Sequence, residues 1–168
     1  AFEGPQAAMD ALARVEADAI LVAVLGVFAI ARRVVPEMEI HISTQANNTN
    51  WEAVNAWAAL GASRVVLARE MSLAEIREIR EKCAVELEMF VHGAMCISYS
   101  GRCLMSNYFT GRDANRGGCA QPCRWKYSLM EETRPGQYFP VEEDDRGTYI
   151  FNSKDMCLLP YLADVIES

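Results

Sequence analysis

No stretch of this 168-residue sequence is apolar for long enough to cross a bilayer; the longest run, Ala19–Ala31, falls short of the roughly 20 residues needed. Positive charge is in deficit, with 16 Lys and Arg against 23 Asp and Glu and a net charge of −7, which excludes indiscriminate coating of nucleic acid. No Cys-x-x-Cys pair occurs, so the spacing of a zinc ribbon or knuckle is missing. Neither a Gly-x-Ser-x-Gly elbow nor a His-Glu-x-x-His helix is present, which removes two familiar hydrolase signatures. The chain opens on Ala-Phe-Glu without a basic leader or cleavage-site pattern, so the expected location is cytoplasmic, with no membrane partner. In that reducing compartment six cysteines point to metal or redox chemistry more than to disulfides.

What is present is a core: 51% of the residues are apolar, enough to rule out global disorder. The first half repeats a short Val/Ile/Leu run, a polar turn and an amphipathic stretch. Candidate strands are Ala19–Ala23, Glu39–Ser43, Arg64–Ala68 and Glu86–His92, with helices near Val27–Val35, Asn50–Leu60 and Leu73–Cys83. Thr49-x-x-Glu52 and Ser72-x-x-Glu75 read as capping boxes, and Gly61 supplies a left-handed helix end. Strands separated by helices imply βαβ units, and therefore an α/β protein with a parallel sheet, either doubly wound or part of a (β/α) barrel.

In such sheets functional groups collect after the carboxyl ends of strands. Those positions hold Ser43, Thr44, Gln45 and Asn47, then Arg69 and Glu70, then His92 and Cys96. Within strands, Ile40 and Ile42 alternate with Glu39, His41 and Ser43, and Leu87, Met89 and Val91 alternate with Glu86, Glu88, Phe90 and His92. Glu39 and Glu86 either face a barrel interior or lie at strand starts in solvent. Ala163–Ser168 reads as a helix without a cap, and a helix precedes the first strand, so the expectation is a piece of a longer barrel lacking strands at both ends.

From Gly93 the periodicity breaks into a Cys-rich loop segment, dividing the chain into βα repeats over 1–92 and a cysteine-bearing stretch over 93–168. Five cysteines, Cys96, Cys103, Cys119, Cys123 and Cys157, fall among glycines and arginines. Thiolates on a glycine-permissive loop suit a cuboidal iron–sulfur cluster, whose corners spread the ligands; buried free thiols are the competing reading. Cys83, ending an amphipathic helix, reads as packing.

The runs Glu88-Met-Phe-Val-His-Gly-Ala-Met-Cys96 and Gly101-Arg-Cys-Leu-Met-Ser106 resemble the signature of the peptidase U32 family, the collagenase-like proteases. Gly111–Gly117, Gln121–Trp125, Gly147–Asp155 and His41–Asn47 extend the resemblance over nearly the whole chain. It implies a partial TIM-like (β/α) barrel and an oxygen-independent RNA hydroxylase, closest to the branch that makes 5-hydroxyuridine at the tRNA wobble position with prephenate as co-substrate. It also implies a [4Fe–4S] cluster on Cys96, Cys103, Cys119 and Cys157, with Cys123 either replacing Cys119 or standing beside the cluster. His92, Glu70 and Arg69 are the candidate catalytic residues. Ser43, Thr44, Gln45, Asn47, Arg102, Arg112 and Arg116 are the candidate substrate-binding ones. Where the family tends to carry an acidic residue after the first strand, this chain has Val24.

Two other functions stay open. A peptidase can be built on a dyad of His92 with Cys96 or Cys103, which conflicts with using that cysteine as a cluster ligand. An RNA-binding module with a structural metal is the other. The net charge hides a pattern: Arg102, Arg112, Arg116, Arg124 and Lys126 face Asp113 alone, whereas residues 127–145 hold six carboxylates against Arg134. The basic stretch is interleaved with Tyr108, Phe109, Trp125 and Tyr127, a pattern that meets phosphates and stacks on unpaired bases. The arginines equally suit offsetting the charge of a thiolate-held cluster, or gripping the carboxylates of a small acid.

Overall fold

The computed structural model describes residues 17–100, 102–125, 127–130, 132–139, 142–144, 147–149 and 156–167, with positions 4, 7, 10, 11, 14 and 15 before them. Most of the helix expected ahead of the first strand, together with Gly101, Lys126 and residues 150–155, lies outside these. The chain divides into two compact units, Ala1–Phe90 with Tyr161–Ser168, and Val91–Pro160.

The first unit is a four-stranded parallel sheet in the order β1-β2-β3-β4, with strands β1 Ala19–Val22, β2 Glu39–Ile42, β3 Arg64–Val66 and β4 Glu86–Glu88. Helices α1 Leu25–Val34, α2 Trp51–Ala59 and α3 Leu73–Lys82 join successive strands. The strand period of two puts Ile20, Val22, Ile40, Ile42 and Val65 into one core. Phe28 and Ala31 on α1 with Val35 just after it, Val54 on α2, and Ile76 and Ile79 on α3 pack there at helical spacing. A parallel α/β architecture is therefore present as the sequence implies, and no closed barrel forms among the described residues.

The alternate positions are apolar on β1 but carry polar or charged side chains on the other three strands. Leu21, His41, Arg64 and Glu86 are register partners across the four strands. Arg64 donates to Glu86 Oε2 from Nη2 at 2.7 Å and from Nε at 3.0 Å, and reaches Glu88 Oε2 at 3.5 Å. These bonds hold the Glu86 carboxyl below its ordinary range. Glu39 and Glu86 are exposed at their strand starts, where Glu39 lies 3.4 Å from His41 Nε2.

Two local expectations shift. The strand expected over Glu86–His92 stops at Glu88, whose carbonyl accepts from Leu67 N; from Val91 the backbone pairs elsewhere, its carbonyl accepting from Leu158 N at 2.7 Å. Helix α2 is capped by Asn50 and not by Thr49, because the Asn50 side chain accepts from Ala53 N at 2.8 Å from an extended backbone. Gly61 does adopt the left-handed conformation, and a Cβ there would meet the Arg32 guanidinium at 3.1 Å.

The second capping box is complete. Ser72 Oγ accepts from Glu75 N at 3.4 Å, and Glu75 Oε2 accepts from Ser72 N at 2.7 Å. Ser72→Ala is expected to lower stability by about 1 kcal/mol at neutral pH. The Ser72 backbone and hydroxyl hold the Glu75 carboxyl below its ordinary value of 4.5. Its contribution is present above that value and is lost as pH falls through the lowered one. Urea melts of the two proteins should therefore converge on acidification.

Candidate functional site

The carboxyl ends of β2 and β3 are tied together by the loop between them. Ser43, extended after β2, accepts from Gln45 N at 3.2 Å through Oγ and starts a single 3-10 turn, Thr44–Ala46. Asn47 closes that turn in the left-handed region at φ 59°, which Asn tolerates through its short polar side chain. Thr44 Oγ1 donates to Leu67 O at 3.1 Å. Asn48, fully buried, donates from Nδ2 to Ser43 O at 3.3 Å and Val66 O at 3.0 Å, while its backbone carbonyl accepts from Ala68 N.

The structure thus brings Ser43, Thr44, Gln45 and Asn47 into one turn. Ser43 and Thr44 are buried with their hydroxyls engaged by the backbone, whereas Gln45 and Asn47 are half-buried. Arg69, after β3, sets its guanidinium 4.1 Å from the centre of the Phe90 ring, a cation–π contact. Glu70 is exposed in the turn that follows, and Val24 is exposed at the start of α1. Sequence reasoning missed Asn48 and Phe90. The Asn47-Asn48 doublet was the available signal for the first, and the aromatic one strand over from Arg69 for the second. A cleft of about 500 Å³ opens elsewhere, along the edge of β4, with Arg64, Leu67, Arg80, Met89 and Ile166 in its wall. It contains none of the predicted strand-end residues.

The second unit carries the thiols. After strand β5, His92–Gly93, come the short strands β6 Leu129–Met130, β7 Tyr138–Phe139, β8 Glu142–Asp144 and β9 Gly147–Tyr149; β5 itself pairs antiparallel with β10, Met156–Cys157, so that Cys157 is the register partner of His92. This pairing draws a cysteine distant in sequence to the strand that leads into Cys96. Helix α4, Met105–Thr110, follows Cys103 and ends on the left-handed Gly111. Its Ser106 is fully buried and accepts from Ala120 N at 3.0 Å, which anchors the Cys119–Cys123 turn. Within that turn Gln121 takes φ 53° and its N–H donates to Cys119 Sγ at 3.3 Å. Arg124 Nη2 donates to Met95 O at 3.4 Å, tying the turn to the residue before Cys96.

Burial pushes the Cys123 thiol above its ordinary value, Arg124 opposes the rise, and charge on Cys119, Cys103 and Cys96 adds to it. Those four sulfurs therefore share one electrostatic neighbourhood. No disulfide joins any of the six cysteines. Cys83 sits apart in the first unit, buried at the end of α3 with Sγ donating to Trp51 O at 3.5 Å, a packing residue as expected.

Among the described residues no three His, Cys, Asp or Glu side chains converge closely enough to grip a single metal ion. One tetrahedral zinc would need sulfurs about 3.8 Å apart. Soft thiolate donors on glycine-permissive loops are the donor chemistry an iron–sulfur cluster requires, and Cys96, Cys103, Cys119 and Cys157 are the residues present that would supply it.

These features define a parallel α/β protein with a thiol-rich loop unit. The chain belongs to peptidase family U32, whose sequence model matches residues 2–168. The tRNA hydroxylation protein P1 of Bacillus subtilis (strain 168) is 44% identical over 166 residues, covering 99% of this chain and 39% of that protein. The tRNA hydroxylation protein P of Escherichia coli (strain K12) is 39% identical over 179 residues, covering 83% of this chain and 40% of that one. The 23S rRNA 5-hydroxycytidine C2501 synthase of the same organism is 39% identical over 115 residues, covering 68% of this chain and 17% of that enzyme. The chain thus spans about two fifths of the length of the first two relatives. No described helix is long and apolar enough to cross a membrane.

Proposed function

We propose that this chain is the cysteine-bearing part of an iron–sulfur enzyme that hydroxylates RNA, with the wobble uridine of tRNA as its substrate. The observation that carries the reading is the tethering of the cysteine-bearing loop, by Ser106 Oγ to Ala120 N, by Arg124 to Met95 O and by the pairing of Cys157 with His92, in a chain whose relatives are named for hydroxylation of tRNA and rRNA. Cys96, Cys103, Cys119 and Cys157 would hold a [4Fe–4S] cluster, with Cys123 beside it. When bound, such a cluster supplies an iron that polarises an oxygen-bearing acid or passes electrons.

The chain's own residues bind and orient. Gln45, Asn47, Arg69 and Glu70 stand at strand ends, where substrates of α/β proteins dock. Ser43 and Thr44 hold the turn that presents Gln45. His92 is fixed on β5 with Cys157 opposite, within the thiol unit. A small dicarboxylic acid such as prephenate is the proposed co-substrate, gripped bidentately by Arg102 or Arg116. The four-stranded sheet is proposed as part of a (β/α) barrel in the full-length protein, its charged face turned to the interior.

Anaerobic purification of the full-length protein should give a coloured protein with iron and acid-labile sulfide. Mass spectrometry of tRNA from cells lacking it should show loss of 5-hydroxyuridine. A colourless, iron-free protein that cleaves peptides would overturn the proposal in favour of a cysteine peptidase. An iron-bearing protein whose absence leaves hydroxyuridine intact would be a binding module.

A further inference from the structure

Exposed aromatic rings are unusual on a soluble surface unless something covers or uses them. In the second unit three of them, Tyr108, Phe109 and Trp125, form one cluster with the half-buried Tyr127. Trp125 and Tyr127 lie nearly parallel, 18° apart with centroids at 6.4 Å, and Phe109 reaches both at 6.5 and 5.9 Å. Tyr108 meets the Phe109 edge at 5.2 Å. Tyr108 is 84% exposed, Phe109 49% and Trp125 44%. They stand on two anchored pieces of backbone: Tyr108 and Phe109 on α4, and Trp125 and Tyr127 directly after the Cys123 turn, which Ser106 ties back to α4.

The electrostatic setting selects a partner. Arg102, Arg112 and Arg116 are all exposed, Arg116 to 87%, and the single carboxylate among residues 102–125, Asp113, lies 3.4 Å from Arg116. In a chain of net charge −7 this segment is locally positive. Flat faces beside guanidinium groups match the two demands of unpaired nucleotides, stacking for the base and positive charge for the phosphate. An apolar protein partner would need neither the arginines nor the open ring faces. Duplex RNA would hide its base faces from the rings.

We propose that Tyr108, Phe109, Trp125 and Tyr127 form a stacking platform for unpaired bases of an RNA loop, with Arg112 and whichever of Arg102 and Arg116 does not grip the small acid meeting its phosphates. This rests on the reading of RNA as substrate and adds where and how it is held. The platform continues from the Cys123 turn, so a base held on it lies beside the thiol unit's own backbone. The rings fix a loop by shape and stacking and not by reading base edges, which makes the docking tolerant of sequence.

The test uses the full-length protein and a labelled stem-loop RNA with an unpaired uridine loop, compared with the same sequence closed into a duplex, by fluorescence anisotropy. Trp125→Ala and Tyr108→Ala are each expected to weaken loop binding about tenfold while leaving duplex binding and iron content unchanged. Trp125→Phe should restore most of the loss. Arg112→Gln should weaken loop and duplex alike and lower the salt dependence by about one unit of slope. Alanine variants that bind the loop as the wild type does, in a protein that still binds and hydroxylates RNA, would overturn the platform alone. A wild-type protein that binds neither RNA would overturn the platform together with the RNA reading.

Discussion

Cys96→Ala in the full-length protein is expected to remove iron and acid-labile sulfide and to abolish RNA hydroxylation. A cluster held by four thiolates loses a corner when one is deleted. The same loss is expected for Cys103→Ala, Cys119→Ala and Cys157→Ala. Cys123→Ala should keep the iron, and so should Cys83→Ala, whose thiol is buried in the other unit against Trp51. Iron content after anaerobic purification, with the cluster's EPR signal on reduction, reads all six variants. The informative pair is Cys157 and Cys123. Cys157 is held on β10 against His92, whereas Cys123 shares its surroundings with the other three thiols. If iron survives Cys157→Ala and is lost in Cys123→Ala, the fourth ligand is Cys123.

Asn48→Ala is expected to destabilise the protein by about 3 kcal/mol, seen as a lower unfolding midpoint. The side chain is fully buried, and its Nδ2 donates to the carbonyls of Ser43 and Val66 at the ends of β2 and β3, the first of which also accepts from Ala46 N at 2.9 Å. Alanine removes the Val66 partner and leaves a void, while Ser43 O keeps its bond from Ala46 N. Asn48→Asp should be worse, because an oxygen then faces two carbonyl oxygens and a charge is buried with them. The effect on substrate should exceed that of a remote core change of equal cost, since Asn48 sets the turn that carries Gln45 and Asn47. Comparison with Ile40→Ala, a core deletion expected to cost 2–5 kcal/mol in order of magnitude, about as much, separates positioning from stability through KM for RNA.

The parallel sheet was legible because each strand's Val and Ile positions alternate and each helix's apolar positions recur at helical spacing; both patterns are local. Ser72-x-x-Glu75 was legible for the same reason. Thr49 was misleading because Asn50, equally able to cap, stands next to it, and only the backbone path decides which one turns into the helix. The run Glu86–His92 read as one strand because its alternation is unbroken. Its division at Glu88 depends on a partner strand more than 60 residues away, which no periodicity records. The thiols were visible as residue types and spacing, but the proximity of Cys123 to Cys96, Cys103 and Cys119 comes from the Ser106 and Arg124 tethers. Asn48 was hidden by its neighbour: sequence reasoning placed Asn47 at the site for its chemistry, while the structure uses Asn47 for its backbone and Asn48 for its amide.

The β5–β10 pairing also sets an order of events during synthesis. Every strand contact of the parallel sheet lies within the first 88 residues, so that layer can assemble while the ribosome is still producing the loop unit. Strand β5 must wait for residues 156 and 157, and closing so long a loop is entropically costly until its partner arrives. Any ligand that needs Cys157 together with Cys96 can therefore be held only once residues 156 and 157 have been made and paired with β5.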